Sequence, residues 1–113
     1  MYYRLKKNCD FDKAFRLGKR SYSKTLTVII LRKENDAKVG YVVTKKHGNA
    51  VKRNRVKRVF RAAFREIAPF VLPGAHLIFL PKAGITHGVK ETAKNMRYVL
   101  DKEGLILSEK GSL

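Results

Sequence analysis

Residues 37–65 contain ten lysines and arginines and not one aspartate or glutamate. The ten are Lys38, Lys45, Lys46, Lys52, Arg53, Arg55, Lys57, Arg58, Arg61 and Arg65. Such side chains hold anions, and arginine can fork two parallel hydrogen bonds onto one phosphate. Asn54, inside the run, can donate to a phosphate or a ribose hydroxyl. Across residues 48–61 no acid stands at i±4 to relieve the like-charge repulsion, so that run costs stability unless a polyanion neutralises it. A second set is aromatic. Phe11 and Phe15 are one helical turn apart, with Lys13, Arg16, Lys19, Arg20 and Tyr22 nearby. Rings at that spacing either pack into a core or offer faces on which bases stack while the cations take the phosphates. The pattern leaves both readings open.

Chemistry by the chain itself has little support. His47, His76 and His87 lack metal-binding spacing, and Cys9 has no evident His/Asn context that would make it a nucleophile. The carboxylates are few and scattered, and no glycine-rich phosphate loop is present. The expectation is therefore no catalytic residue and no metal held by the protein. His76, opening an apolar stretch, reads as structural; His47, beside Lys45 and Lys46, reads as touching phosphate or solvent.

The chain that must position these groups has 113 residues and a formal net charge of +17. That length fits one domain, residues 1–113, with a frayed tail from about residue 105. At 44% hydrophobic residues the chain is not compositionally disordered. A single cysteine excludes an internal disulfide and fits a reducing compartment. No stretch approaches the ~18–20 apolar residues of a membrane span, and the basic N-terminus lacks the apolar segment of a secretory signal. A cytoplasmic protein with a nucleic-acid partner and no membrane is the expectation.

Periodicity predicts a helix to about Leu17, capped by Asn8 or Asp10 and stopped by Gly18. Strands follow at residues 24–32 and 38–44, whose short link suggests an antiparallel hairpin. Residues 50–68 carry the strongest helical signal. Val56, Val59, Phe60, Ala63, Phe64 and Ile67 fall on one side, and Arg53, Asn54, Lys57, Arg58, Arg61 and Arg65 cover the other. A strand at 76–80 and a helix around Val89, Ala93, Met96 and Leu100 complete the order α-β-β-α-β-α. This is an α+β fold, an α/β sandwich with a small sheet.

The segment Lys-His-Gly-Asn-Ala-Val-Lys-Arg-Asn-Arg-Val-Lys-Arg, residues 46–58, closely resembles the signature of the bacterial ribonuclease P protein component. The resemblance extends over residues 4–101, through Asp10, Phe11, Phe15 and Gly18 and through the strand before Lys45 and Lys46. It implies a left-handed βαβ crossover. It implies two RNA partners, the catalytic RNA of ribonuclease P and precursor tRNA, and no protein partner. The hydrolysis that removes the 5′ leader, with its Mg²⁺, would belong to the RNA. The basic helix region, with Lys45, Lys46, Asn49, Lys52, Arg53, Asn54, Arg55, Lys57, Arg58, Arg61 and Arg65, would meet RNA. A cleft with Phe11, Phe15, Lys13, Arg16, Tyr22 and Ile29 would hold the single-stranded leader. Ile29 stands near where family members often carry an aromatic, and Tyr22 could substitute for that ring. The alternative is a non-catalytic structural RNA-binding protein of ribosomal type. A DNA-binding helix module fits less well, because the arginines spread over a wide arc. A stand-alone nuclease lacks the acid/base or metal cluster it would need.

Overall fold

A computed structural model describes residues 2–107. Five strands form one mixed sheet: β1 (Tyr3–Arg4), β2 (Lys19–Tyr22), β3 (Leu26–Arg32), β4 (Ala37–Tyr41) and β5 (Ala75–Pro81). Three helices accompany them: α1 (Asn8–Leu17), α2 (Ala50–Ile67) and α3 (Val89–Lys102). The fold is α+β, as the sequence predicts, but the order is β-α-β-β-β-α-β-α. The two unforeseen strands lie at the edges, β1 being two residues long and β2 reading Lys-Arg-Ser-Tyr. Short, charged edge strands carry no alternating apolar signal, which is also what protects them from pairing with other chains.

Strand order across the sheet is β1-β4-β5-β3-β2. β5 is antiparallel to β3 and parallel to β4. The expected hairpin between the second and third apolar segments therefore does not form: β3 and β4 are both neighbours of β5. The connection Glu34-Asn35-Asp36 is a turn with Asn35 at φ 62°, but it delivers the chain past an inserted strand. The inserted β5 is almost wholly buried and reads Ala-His-Leu-Ile-Phe-Leu-Pro, the near-continuous apolar run of a central strand. α2 is the crossover that joins parallel β4 to β5.

α2 and α3 pack together over one face of the sheet. Phe60, Ala63, Phe64 and Ile67 from α2 and Ala93, Met96, Val99 and Leu100 from α3 meet Leu26, Val28, Ile30, Leu77 and Phe79. The other face carries α1 alone, with Leu5, Ala14, Ile29 and Ile78 buried beneath it. Two glycines permit this approach. A Cβ at Gly18 would lie 2.5 Å from the Ala14 carbonyl oxygen and 2.6 Å from Ile29 Cγ2; one at Gly40 would lie 2.8 Å from the Phe11 ring. α1 starts after Lys7 without a side-chain cap, so neither Asn8 nor Asp10 has the predicted role.

The tail holds longer than expected. Leu105 is buried, Ile106 bridges to Val71, and the Leu107 N–H donates to the Phe70 carbonyl at 2.7 Å. The rest of the predicted frayed tail lies outside the described residues.

Candidate nucleic-acid interface

Register fixes what lies beside α1. Residues paired across strands share a sheet face. One row reads Gly40, Ile78, Ile29 and Arg20 across β4, β5, β3 and β2. Phe11 rests on Gly40, and Ala14 and Gly18 lie over the middle, so α1 crosses the strands along this row. The next row on the same face reads Leu80, Thr27 and Tyr22. Val42 extends it past the end of β4, its N–H donating to the Phe79 carbonyl at 3.0 Å. Val42, Leu80 and Thr27 are half-buried and Tyr22 is 58% exposed. Phe15 is 36% exposed, one helical turn from Phe11, and Lys13 and Arg16 are exposed on the same helix. An apolar floor with aromatic walls and cations around it therefore flanks α1. Such a surface suits stacked bases and a phosphate backbone.

One expectation changes here. Ile29 is wholly buried beneath α1, and the half-buried residue on that face of β3 is Thr27, two residues earlier. Phe11 is half-buried, its ring over Gly40. Thr27, Leu80 and Val42 escaped sequence reasoning: they are brought together by strand order, which no local pattern encodes.

The second surface is α2. Asn49 caps it, its side-chain oxygen accepting from the Lys52 N–H at 3.0 Å. The apolar stripe faces the sheet, which leaves Asn54, Arg58, Arg61 and Arg65 on an exposed crest. Arg53 does not join them. It stands seven residues before the buried Phe60, on the core stripe, and its Nη1 donates to the Gly48 carbonyl at 2.9 Å. Lys52 folds its stem over Gly48, whose φ of 107° suits glycine. Lys45 and Lys46 are exposed on the 3-10 turn before α2. His47, expected at phosphate or solvent, is used internally. Its Nδ1 accepts from the Thr44 N–H at 3.1 Å and its Nε2 donates to the Pro81 carbonyl at 2.7 Å, locking this turn onto β5.

The two flanks of the crest open into grooves. One, about 800 Å³, runs from Phe11 and Gly40 past Tyr41 to Lys57, Arg61 and Arg65. It joins the α1 face to the basic helix past Gly40 and Tyr41, the end of β4 that the two-residue β1 does not cover. Burial pushes the Tyr41 phenol well above its ordinary range, with Arg61 and Arg65 pulling the other way. The neighbouring Tyr2 phenol is pushed up to about 12 by burial, against the pull of Arg32. Both stay neutral donors in a cationic wall. The other groove, about 460 Å³, sets Lys46, Lys52 and Arg55 against residues 84–87. Among the described residues no three His, Cys, Asp or Glu side chains gather where they could hold a metal ion. No described helix is long and apolar enough to cross a membrane.

Comparison with known proteins matches this geometry to one family. The family model Ribonuclease P covers residues 1–103. The ribonuclease P protein component of Listeria welshimeri is 39% identical over 111 residues, spanning 96% of this chain and 92% of that protein. That of Clostridium botulinum is 35% identical over 122 residues, spanning 100% and 98%. Among solved structures, the ribonuclease P protein of Staphylococcus aureus superposes with a TM-score of 0.76 at 26% identity, covering 92% of this chain and 91% of that one. The Thermotoga maritima protein shares the fold with a TM-score of 0.78 at 24% identity, covering 88% and 96%.

Proposed function

Because the chain belongs to the ribonuclease P protein component family, we propose that it is the RNA-binding subunit of a ribonucleoprotein that removes the 5′ leader from precursor tRNA in the cytoplasm. The exposed crest of α2, with Asn54, Arg58, Arg61 and Arg65, docks on the catalytic RNA, assisted by Lys45, Lys46, Lys52, Arg55 and Lys57. The single-stranded leader lies across the α1 face, its bases on Phe15, Tyr22 and the exposed edge of Phe11, its phosphates toward Lys13 and Arg16. Hydrolysis and its Mg²⁺ belong to the RNA. The protein contributes binding energy and charge neutralisation.

The observation that carries this reading is the groove that runs from Phe11 to Lys57, Arg61 and Arg65. It makes one continuous path from an aromatic, single-strand surface to a cationic helix. A leader varies in sequence, and stacking plus backbone charge suits it because every base has a π-face and every nucleotide a phosphate.

Phe15→Ala tests the assignment without emptying the core. In the reconstituted ribonucleoprotein it should weaken precursor tRNA binding by roughly 1–3 kcal/mol, the usual value of one stacked base. Mature tRNA binding should be unchanged. Equal losses on both RNAs would overturn leader binding at this face and favour a purely structural RNA-binding role.

A further inference from the structure

The sheet has a second opening at its β2 edge. A groove of about 1010 Å³ runs between the turn after β2 and the outer face of α3, lined by Tyr22, Ser23, Lys24, Lys90, Lys94 and Tyr98, with the exposed Glu91 and the buried Asn95 also lining it. It lies at the opposite edge of the sheet from β4 and the groove that leads to α2. Tyr98 is 56% exposed although aromatic, and Lys102 Nζ sits 4.8 Å from its ring centroid. The same ammonium donates to the Tyr22 carbonyl at 3.1 Å, which pins α3 to the strand edge. Four lysines, Lys24, Lys90, Lys94 and Lys102, thus surround a half-open tyrosine, and Glu91 is the one carboxylate among the groove's lining residues. Asn95 is turned inward, its Nδ2 donating to the Glu91 carbonyl at 2.9 Å.

Tyr22 belongs to both surfaces. Paired with Thr27, it ends the row Val42, Leu80, Thr27, Tyr22 on the α1 face, and it also lines the α3 groove. A strand crossing the row from β4 to β2 reaches the sheet edge at Tyr22 and meets the lysines beyond it.

We propose that the α3 groove is a second subsite for single-stranded RNA, taking nucleotides that extend past Tyr22 from the α1 face. Tyr98 stacks a base there, and Lys24, Lys90 and Lys94 hold phosphates. Lys102 keeps the Tyr98 ring and the β2 edge in register. The subsite rests on the leader reading for its near end, and it makes affinity depend on strand length. A leader that stops within the α1 face cannot use it.

The test uses the full chain and labelled single-stranded oligoribonucleotides of about 5 and about 12 nucleotides. Tyr98→Ala should weaken the long strand about tenfold and the short one less than about twofold. Lys90→Gln with Lys94→Gln should lower the salt slope of long-strand affinity by about 0.7 for each lysine removed. Equal effects at both lengths, or none on the long strand, would overturn the subsite. Phe15→Ala, measured in parallel, separates the two readings. If it weakens both strands while Tyr98→Ala weakens neither, the α3 subsite alone fails. If Phe15→Ala weakens neither, the leader reading fails and takes the shared path with it. All variants sit on exposed positions, and thermal unfolding at the wild-type temperature confirms that loss of binding is not loss of fold.

Discussion

Asp36 ties the turn between β3 and β4 to the central strand. Its Oδ2 accepts from His76 Nε2 at 2.8 Å, its Oδ1 accepts from the Ala37 N–H at 2.9 Å, and Lys38 Nζ lies 3.8 Å away. His76 is itself buried, so this bond satisfies a polar group that would otherwise be stranded in β5. The His76 hydrogen bond, and after it the Ala37 N–H and Lys38, hold the Asp36 carboxyl below its ordinary 3.8. The sign follows: a depressed folded value contributes stability that is present above 3.8 and is lost as pH falls through the lower folded value. Urea unfolding on either side of that pH should show the wild type losing stability on acidification more steeply than Asp36→Asn. Parallel slopes would contradict the assignment. The structural role of His76 was legible in the sequence because it opens an apolar run. That of His47 was not: its neighbours Lys45 and Lys46 suggest phosphate, and its true partners, Thr44 and the Pro81 carbonyl, include one 34 residues away.

Within α2, charge divides between an exposed crest and the helix's own start. Arg53 closes the turn at Gly48 and lies on the core stripe, whereas Arg58 stands on the crest. Arg53→Ala should lower unfolding free energy by about 1 kcal/mol through loss of a charge-assisted hydrogen bond. Arg58→Gln should leave stability within about 0.5 kcal/mol and reduce the salt slope of RNA affinity by about 0.7–0.9. Chemical denaturation and salt-dependent binding check the pair, and an Arg53→Ala protein of wild-type stability would refute the pinning role. Long amphipathic elements were readable: α2 and α3 follow their apolar periodicity, and β3 and β5 follow their β-branched and apolar runs. The edge strands β1 and β2 were not, because two short, charged segments become strands only when a neighbour offers its unpaired edge. The hairpin misreading has the same origin. A short link between two strands favours direct pairing, yet here a third strand, reached through α2, wins the place between them.

Across the whole molecule, the sheet separates two tasks. One face is sealed by α2 and α3 and supplies the core; the other, crossed by α1 alone, stays partly open. Aromatic and cationic groups collect along that open face and around its edge, on a chain of net charge +17. The exposed cationic side of the basic helix was legible from the sequence alone, and Phe11 and Phe15 as one stripe. The floor between them was not, since Val42, Leu80, Thr27 and Tyr22 come from four segments of the chain. The most direct measurement is cleavage of a precursor tRNA by a bacterial ribonuclease P RNA at low Mg²⁺, with and without this protein. Restored cleavage at the mature 5′ end is expected when the protein is added, and none from the protein alone. Tight, salt-sensitive RNA binding with no stimulation of cleavage, across RNAs of each bacterial structural class, would contradict it.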